Sequence, residues 1–178
     1  MRKHVARYLA QCAAIGALIL AWPVPTTPAA GPQPQLPVAR NLAQQAELNA
    51  REGRALLVLF SQHGCPWCER ARREFLLPMS RNAGYRSRVA FLQVDVDSDR
   101  ALRDFGGQAT THAAFARANG VRLYPTVVLF GPNGERLAEP LIGFTGSDFY
   151  GAYLDQRIEA ALKNYAHLHG NSDSQGRD

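Results

Sequence analysis

The sequence predicts an α/β domain in which a mixed central sheet is flanked by helices on both faces. Three observations carry that reading. Two apolar runs of strand length, Ala55–Phe60 and Val89–Val96, suit central strands covered on both sides. Helix-forming stretches lie before, between and after them, as parallel strands joined by crossovers require. Gly131-Pro132-Asn133-Gly134 separates two further strand-like runs and marks an antiparallel hairpin.

Taken in order, the chain opens on a basic stretch, Met1–Arg7, then an apolar stretch from about Cys12 to Trp22, then Pro23–Ala30, which is proline-rich and ends on small residues. This is the layout of a secretory signal peptide over residues 1–30, cut near Ala29 or Ala30, with an uncleaved anchor as the alternative. The apolar part is shorter than the roughly 20 residues a bilayer span needs, so no stable membrane insertion is expected after cleavage. Residues 31–39 read as a Pro-rich extended linker, 40–168 as the folded domain and 169–178 as a disordered tail.

Within the domain, Asn41–Glu52 predicts a helix stopped by Gly53, and Ala55–Phe60 the first strand. The next helix opens at Cys65-Pro66 and runs to Leu77, ended or bent by Pro78. Val89–Val96 is the second strand. Asp97–Thr111 has no sustained period and is expected to be an irregular connection turning at Gly106-Gly107. A helix from Thr111 or His112 to Asn119 stops at Gly120. Leu123–Phe130, broken near its start by Pro125, and Glu135–Ile142 form the hairpin strands. Ser147 caps a final helix whose apolar stripe is Phe149, Tyr153, Leu154, Ile158, Ala161 and Leu162.

Composition bounds the partners. Of the formal charge of +5 over 178 residues, Arg2, Lys3 and Arg7 of the signal supply three, which leaves +2 on the mature chain. The remaining arginines are scattered, and the tight group Arg70, Arg72 and Arg73 suits a solvated helix face, so no nucleic-acid partner is implied. Cys12 sits in the signal, and the exported chain keeps only Cys65 and Cys68. In an oxidising compartment an isolated pair three residues apart is a single local disulfide rather than a scaffold of them.

The chemistry is expected at His63-Gly64-Cys65-Pro66-Trp67-Cys68, where a strand feeds a helix through C-x-x-C. The positive start of a helix favours an anion on the first sulfur, and the thiolate is the form that attacks disulfides. Pro66 suits the first helical position, where no backbone N–H is needed. Cys65 then takes the N-cap and attacks, while Cys68 lies one turn in and less exposed. Other readings stay open: an inert structural disulfide, or half of a zinc site with His63 and His112. His63 otherwise reads as a solvent-facing loop residue. Asp95, Asp97 and Asp99 alternate as in a calcium loop but lack its Gly and Glu, so they read as a solvated strand end.

These residues, with Leu56–Phe60, Val94-Asp95-Val96-Asp97, Tyr124-Pro125-Thr126 and the Gly-containing hairpin before Gly143, resemble the thioredoxin superfamily over roughly Asn41 to Lys163. The resemblance implies a thioredoxin-like fold, a cis-proline at Pro125 lying against the Cys65–Cys68 disulfide, and Tyr124 offering backbone groups to a bound partner. Trp67 and Tyr124 are expected to flank the sulfur as an apolar contact surface. Within the superfamily the chain looks most like exported reductase-type thioredoxins of sulfur-oxidation and cytochrome-maturation systems. It departs from the family pattern in two places. The positions of the family's buried acid and its lysine partner hold Leu59 and Phe91, and Pro66-Trp67 replaces Gly-Pro.

The function implied is an exported, periplasmic thiol–disulfide oxidoreductase without cofactor or metal. Protein disulfides are its substrates, and a membrane electron donor recharges it. Reduction is favoured over oxidation because the chain lacks the large helical insertion of oxidase-type relatives. The alternative is a thioredoxin-like binding or chaperone module whose cysteines stay paired.

Overall fold

The computed structural model describes residues 35–169. The signal-peptide reading, Cys12, the first four linker residues and the tail from residue 170 lie outside them. The elements are α1 (Leu42–Ala50), β1 (Ala55–Ser61), α2 (Pro66–Arg70), a π-helical segment (Ala71–Leu76), α3 (Leu77–Arg81), α4 (Ala83–Arg86), β2 (Val89–Asp95), β3 (Ala101–Arg103), β4 (Ala109–Thr111), α5 (His112–Ala118), β5 (Thr126–Phe130), β6 (Leu141–Ile142) and α6 (Ser147–His169).

The main sheet has the order β2-β1-β5-β6, with β1 and β2 parallel and the other pairs antiparallel. Side chains alternate across the strands and so feed two cores. Leu57 and Leu59 of β1 pack with Leu76, Leu154 and Ile158 on one face. Leu56, Val58 and Phe60 pack with Leu42 and Phe115 on the other. Every residue of β1 is buried, which is why its sequence reads as an unbroken apolar run. Two helices start on caps legible in the sequence. Asn41 Oδ1 accepts the Gln44 N–H at 3.0 Å, and Thr111 Oγ1 the Ala114 N–H at 3.2 Å.

Five expectations are corrected. Helical backbone continues through Pro78 to Arg81 because the π segment resets the register: Leu77 N–H reaches back to Arg72 O, and Pro78 falls in the first turn of α3, where its missing N–H is harmless. The stretch expected to be irregular holds a small antiparallel pair, β3 and β4. The second hairpin strand shrinks to Leu141–Ile142 and a single bridge between Phe130 and Arg136, with Pro140 unable to donate to the ladder. The stripe of α6 holds at Leu154, Ile158 and Ala161 but differs at its start: Tyr150 is buried, while Phe149 and Tyr153 are exposed. The end of the expected linker is packed. Leu36 and Ala39 are 1% exposed, Gln93 N–H donates to Pro37 O at 2.9 Å and Ala39 N–H to Gln93 O at 2.8 Å. Among the described residues no helix is long and apolar enough to cross a membrane.

Candidate active site

Strand β1 delivers the chain to the sheet end where the cysteine loop begins. Val96 N–H donates to Ser61 O at 2.9 Å, and His63 N–H donates to both Asp97 carboxylate oxygens, at 3.2 and 3.1 Å. Gly64 has φ 67°, a left-handed conformation that a side chain would strain. These contacts turn the backbone so that Cys65, extended at φ −80° and ψ 111°, becomes the N-cap of α2 with Pro66 behind it.

Cys65 and Cys68 are joined as a disulfide with Cα atoms 5.3 Å apart. Cys65 is half-buried, whereas Cys68 is 1% exposed. The Cys68 N–H donates to Cys65 Sγ at 3.1 Å, and the Glu69 N–H to Cys65 O at 3.1 Å. When the pair is reduced, negative charge on Cys65 inherits a backbone donor already aimed at it, and a charge-assisted bond of this kind favours thiolate over thiol. Leu59 and Phe91, in the positions of the family's acid and lysine, are buried in one apolar cluster. A proton leaving Cys68 finds no carboxylate there.

The expected partners are distributed around this pair. Phe60 is paired with Thr126, so Pro125 stands at the same end of the sheet as the cysteine loop. Pro125 is buried, its bond to Tyr124 is cis, and its carbonyl accepts the Gly143 N–H at 2.7 Å. Tyr124 is half-buried and packs against the core that holds Leu42 and Phe115. Trp67 is 54% exposed and stacks on Phe144, with ring centroids 6.0 Å apart at 19°. The Arg70 guanidinium lies 5.8 Å from the Trp67 ring and 5.0 Å from the Phe144 ring. Arg70 also donates to Glu74 at 2.9 Å and to Ser147 Oγ at 2.7 Å, and the Ser147 hydroxyl donates to Glu74 at 2.6 Å. The hydrogen bonds from Arg70 and Ser147 hold the Glu74 carboxyl below its ordinary pKa. Ser147 thus spends its hydroxyl tying α6 to α2.

Several contributors were not legible. Arg72, expected on a solvated face, is 8% exposed, pairs with Glu69 and donates to Gln93 Oε1 at 3.1 Å; Gln93 in turn donates to Asp95 at 2.6 Å. Burial lowers the Arg72 pKa, an effect that Asp95 opposes and Arg73 reinforces. Asp97 and Asp99 are exposed, as a solvated strand end requires, but Asp97 also holds the cysteine loop, and half-buried Asp95 accepts from Gln93. The clue available in sequence is spacing, since Arg72 lies one helical turn beyond both Cys68 and Glu69. His112 is fully buried. Its Nδ1 accepts the Asp95 N–H at 2.9 Å, so Nε2 carries the proton and donates to Ala39 O at 2.8 Å. Neither nitrogen is left to share a metal with exposed His63.

A half-exposed sulfur with a buried resolving partner one turn away can break and remake a disulfide reversibly. The family model for a thioredoxin-like domain matches residues 42–158. No curated protein matches the chain. Among solved structures, a thioredoxin of Fasciola hepatica is similar at 20% identity, with 70% of this chain and 97% of that one covered and a TM-score of 0.48. Mitochondrial thioredoxin 3 of Saccharomyces cerevisiae is similar at 21% identity, with 70% and 93% covered and a TM-score of 0.48. A poplar thioredoxin h is similar at 20% identity, with 70% and 96% covered and a TM-score of 0.49. With the family match spanning most of the chain and enclosing both cysteines, this protein belongs to the thioredoxin-like domain family and carries a thiol–disulfide oxidoreductase centre at Cys65–Cys68.

Proposed function

We propose that the chain is an exported protein-disulfide reductase, recharged by a membrane electron donor. The observation that supports this most is the asymmetry of the pair: Cys65 is half-buried and holds the Cys68 N–H on its sulfur at 3.1 Å, and Cys68 is buried. In the reducing direction Cys65 thiolate bonds to one sulfur of a substrate disulfide and the other substrate sulfur leaves. Cys68, deprotonated by water, then bonds to Cys65 and releases the second substrate thiolate. The two dithiol electrons pass to the substrate, and the pair ends as the disulfide. Trp67 and Phe144 supply an apolar face beside the reacting sulfur. The basic, apolar and proline-rich order of residues 1–30 supports export and a periplasmic location.

Reduced wild-type protein is expected to reduce insulin, and Cys65→Ser to lose that activity at least about a thousandfold, because no other thiol in the described domain can attack. Equal activity in both proteins would remove the enzyme reading and leave the binding module. The reduction potential decides direction: a value near about −270 mV marks a reductant and one near about −120 mV an oxidant. Secretion of the full chain with loss of residues 1–30 tests export.

A further inference from the structure

Cys65 stands between two surfaces of opposite chemistry. Trp67 and Phe144 make an aromatic face on one side. The other side opens into a cleft of about 870 Å³ formed by the cysteine loop, the first turns after it, the end of β2 and the loop beyond. Neither Trp67, Phe144 nor Pro125 lines that cleft. Its charged lining among the described residues is Glu69, Arg72, Asp95, Asp97 and Arg100, and Cys65 lines it as well.

The charges divide into spent and available. Glu69 and Arg72 face each other as an ion pair, and Arg72 further donates to Gln93, but its Nε is buried with no partner. An unpaired buried donor is costly, so a ligand or water oxygen that reaches it is favoured there. Arg100 is exposed, and its guanidinium makes no hydrogen bond or ion pair among the described residues; its hydrogen bonds are backbone ones, the N–H donating to Ser98 Oγ at 3.2 Å and the carbonyl accepting the His112 N–H at 3.1 Å. The Asp95 and Asp97 carboxylates, which line the same cleft, keep acceptor capacity beyond the Gln93 and His63 donors they hold. The cleft therefore offers a free cation and free acceptors together, beside a sulfur, in a volume within the roughly 300–1,000 Å³ of small-molecule sites.

We propose that this cleft binds a low-molecular-weight zwitterionic disulfide, an amino-acid or short-peptide disulfide bearing both carboxylate and ammonium groups. The carboxylate turns to Arg100 and the Arg72 side, the ammonium to Asp95 and Asp97, and the disulfide to Cys65. The proposal rests on the oxidoreductase reading above. Cys65 thiolate bonds to one ligand sulfur as the ligand S–S bond breaks, and the first half leaves as a thiolate. Cys68, its proton passed to water, then bonds to Cys65 and expels the second half. The dithiol loses two electrons, the ligand gains them, and the two protons given up by the dithiol are balanced on the two product thiols.

The test compares reduced wild-type protein on cystine, cystamine (ammonium alone), dithiodipropionate (carboxylate alone), hydroxyethyl disulfide (neither) and insulin, each small disulfide's rate divided by its rate with free dithiothreitol. Cystine is expected to lead hydroxyethyl disulfide by about tenfold or more in kcat/KM, the size of one charge-assisted hydrogen bond. In Arg100→Gln the cystine-to-cystamine ratio is expected to fall about tenfold, a ratio within one protein that general loss of fold does not move. Corrected rates within about twofold across the four small disulfides would overturn the cleft proposal while insulin reduction left the oxidoreductase reading standing. Failure on every disulfide, insulin included, would overturn both.

Discussion

Residue by residue, the site is defined as much by what is apolar as by what reacts. Leu59 is fully buried where the family carries its acid, and Phe91, in the lysine position, is 6% exposed in the same cluster. Leu59→Asp is expected to lower stability at neutral pH by about 3 kcal/mol or more, since a carboxylate there would be buried without a cation. Burial raises the native pKa of such a carboxyl above its unfolded value of about 3.9, so the ionisation penalty is absent below that pH and grows as pH rises toward the native value. Urea midpoints measured across pH check this, and a pH-independent loss would contradict it. The N-cap position of Cys65 and the proline behind it were readable because C-x-x-C after an apolar run has a local meaning. Arg72 was not, because a charged residue among Arg70 and Arg73 looks solvated until the partners that bury it, Glu69 and Gln93, are known.

Among the elements, the tie between α2 and α6 through Arg70, Glu74 and Ser147 positions the Trp67–Phe144 face. The Glu74 pKa is lowered in the fold, so the stability this carboxylate lends is complete above its ordinary 4.5 and is lost as pH falls through the lowered native value. Trp67 emission in a Trp22→Phe background is expected to shift on that acidification, and Glu74→Gln to reproduce the shift at neutral pH. Emission unchanged in both experiments would show that the tie does not hold the indole. Phe144, the ring on which Trp67 rests, went unread because it lies in a Gly-flanked loop with no period to mark it. The helix through Pro78 and the β3–β4 pair were hidden for related reasons. A π turn changes backbone register without changing composition, and three-residue strands are too short to show alternation.

At the scale of the whole molecule, the layered architecture followed from β1 and β2 being apolar throughout, but the domain boundary did not. Leu36 and Ala39 are buried, and Pro37 and Ala39 hydrogen-bond to Gln93 of β2. A chain beginning at Arg40 is expected to be less stable than one beginning at Pro34 by about 3 kcal/mol, from two apolar side chains and the backbone bonds lost. Equal urea midpoints for the two would restore the linker reading. Proline content suggested an extended segment, and residues 37–39 pair with β2 in that way; composition alone does not tell extended chain in solvent from extended chain laid on a sheet.

That laid-on segment also closes part of the border of the main sheet. The outer hydrogen-bonding groups of β2 near Gln93 are already occupied by Pro37 and Ala39, and the opposite border of the sheet, β6, is two residues long. Among the described residues, the two borders of the main sheet therefore offer a neighbouring molecule little unmet backbone on which to add a strand. Exchange at the cysteines can therefore proceed without these borders serving as a template for polymerisation.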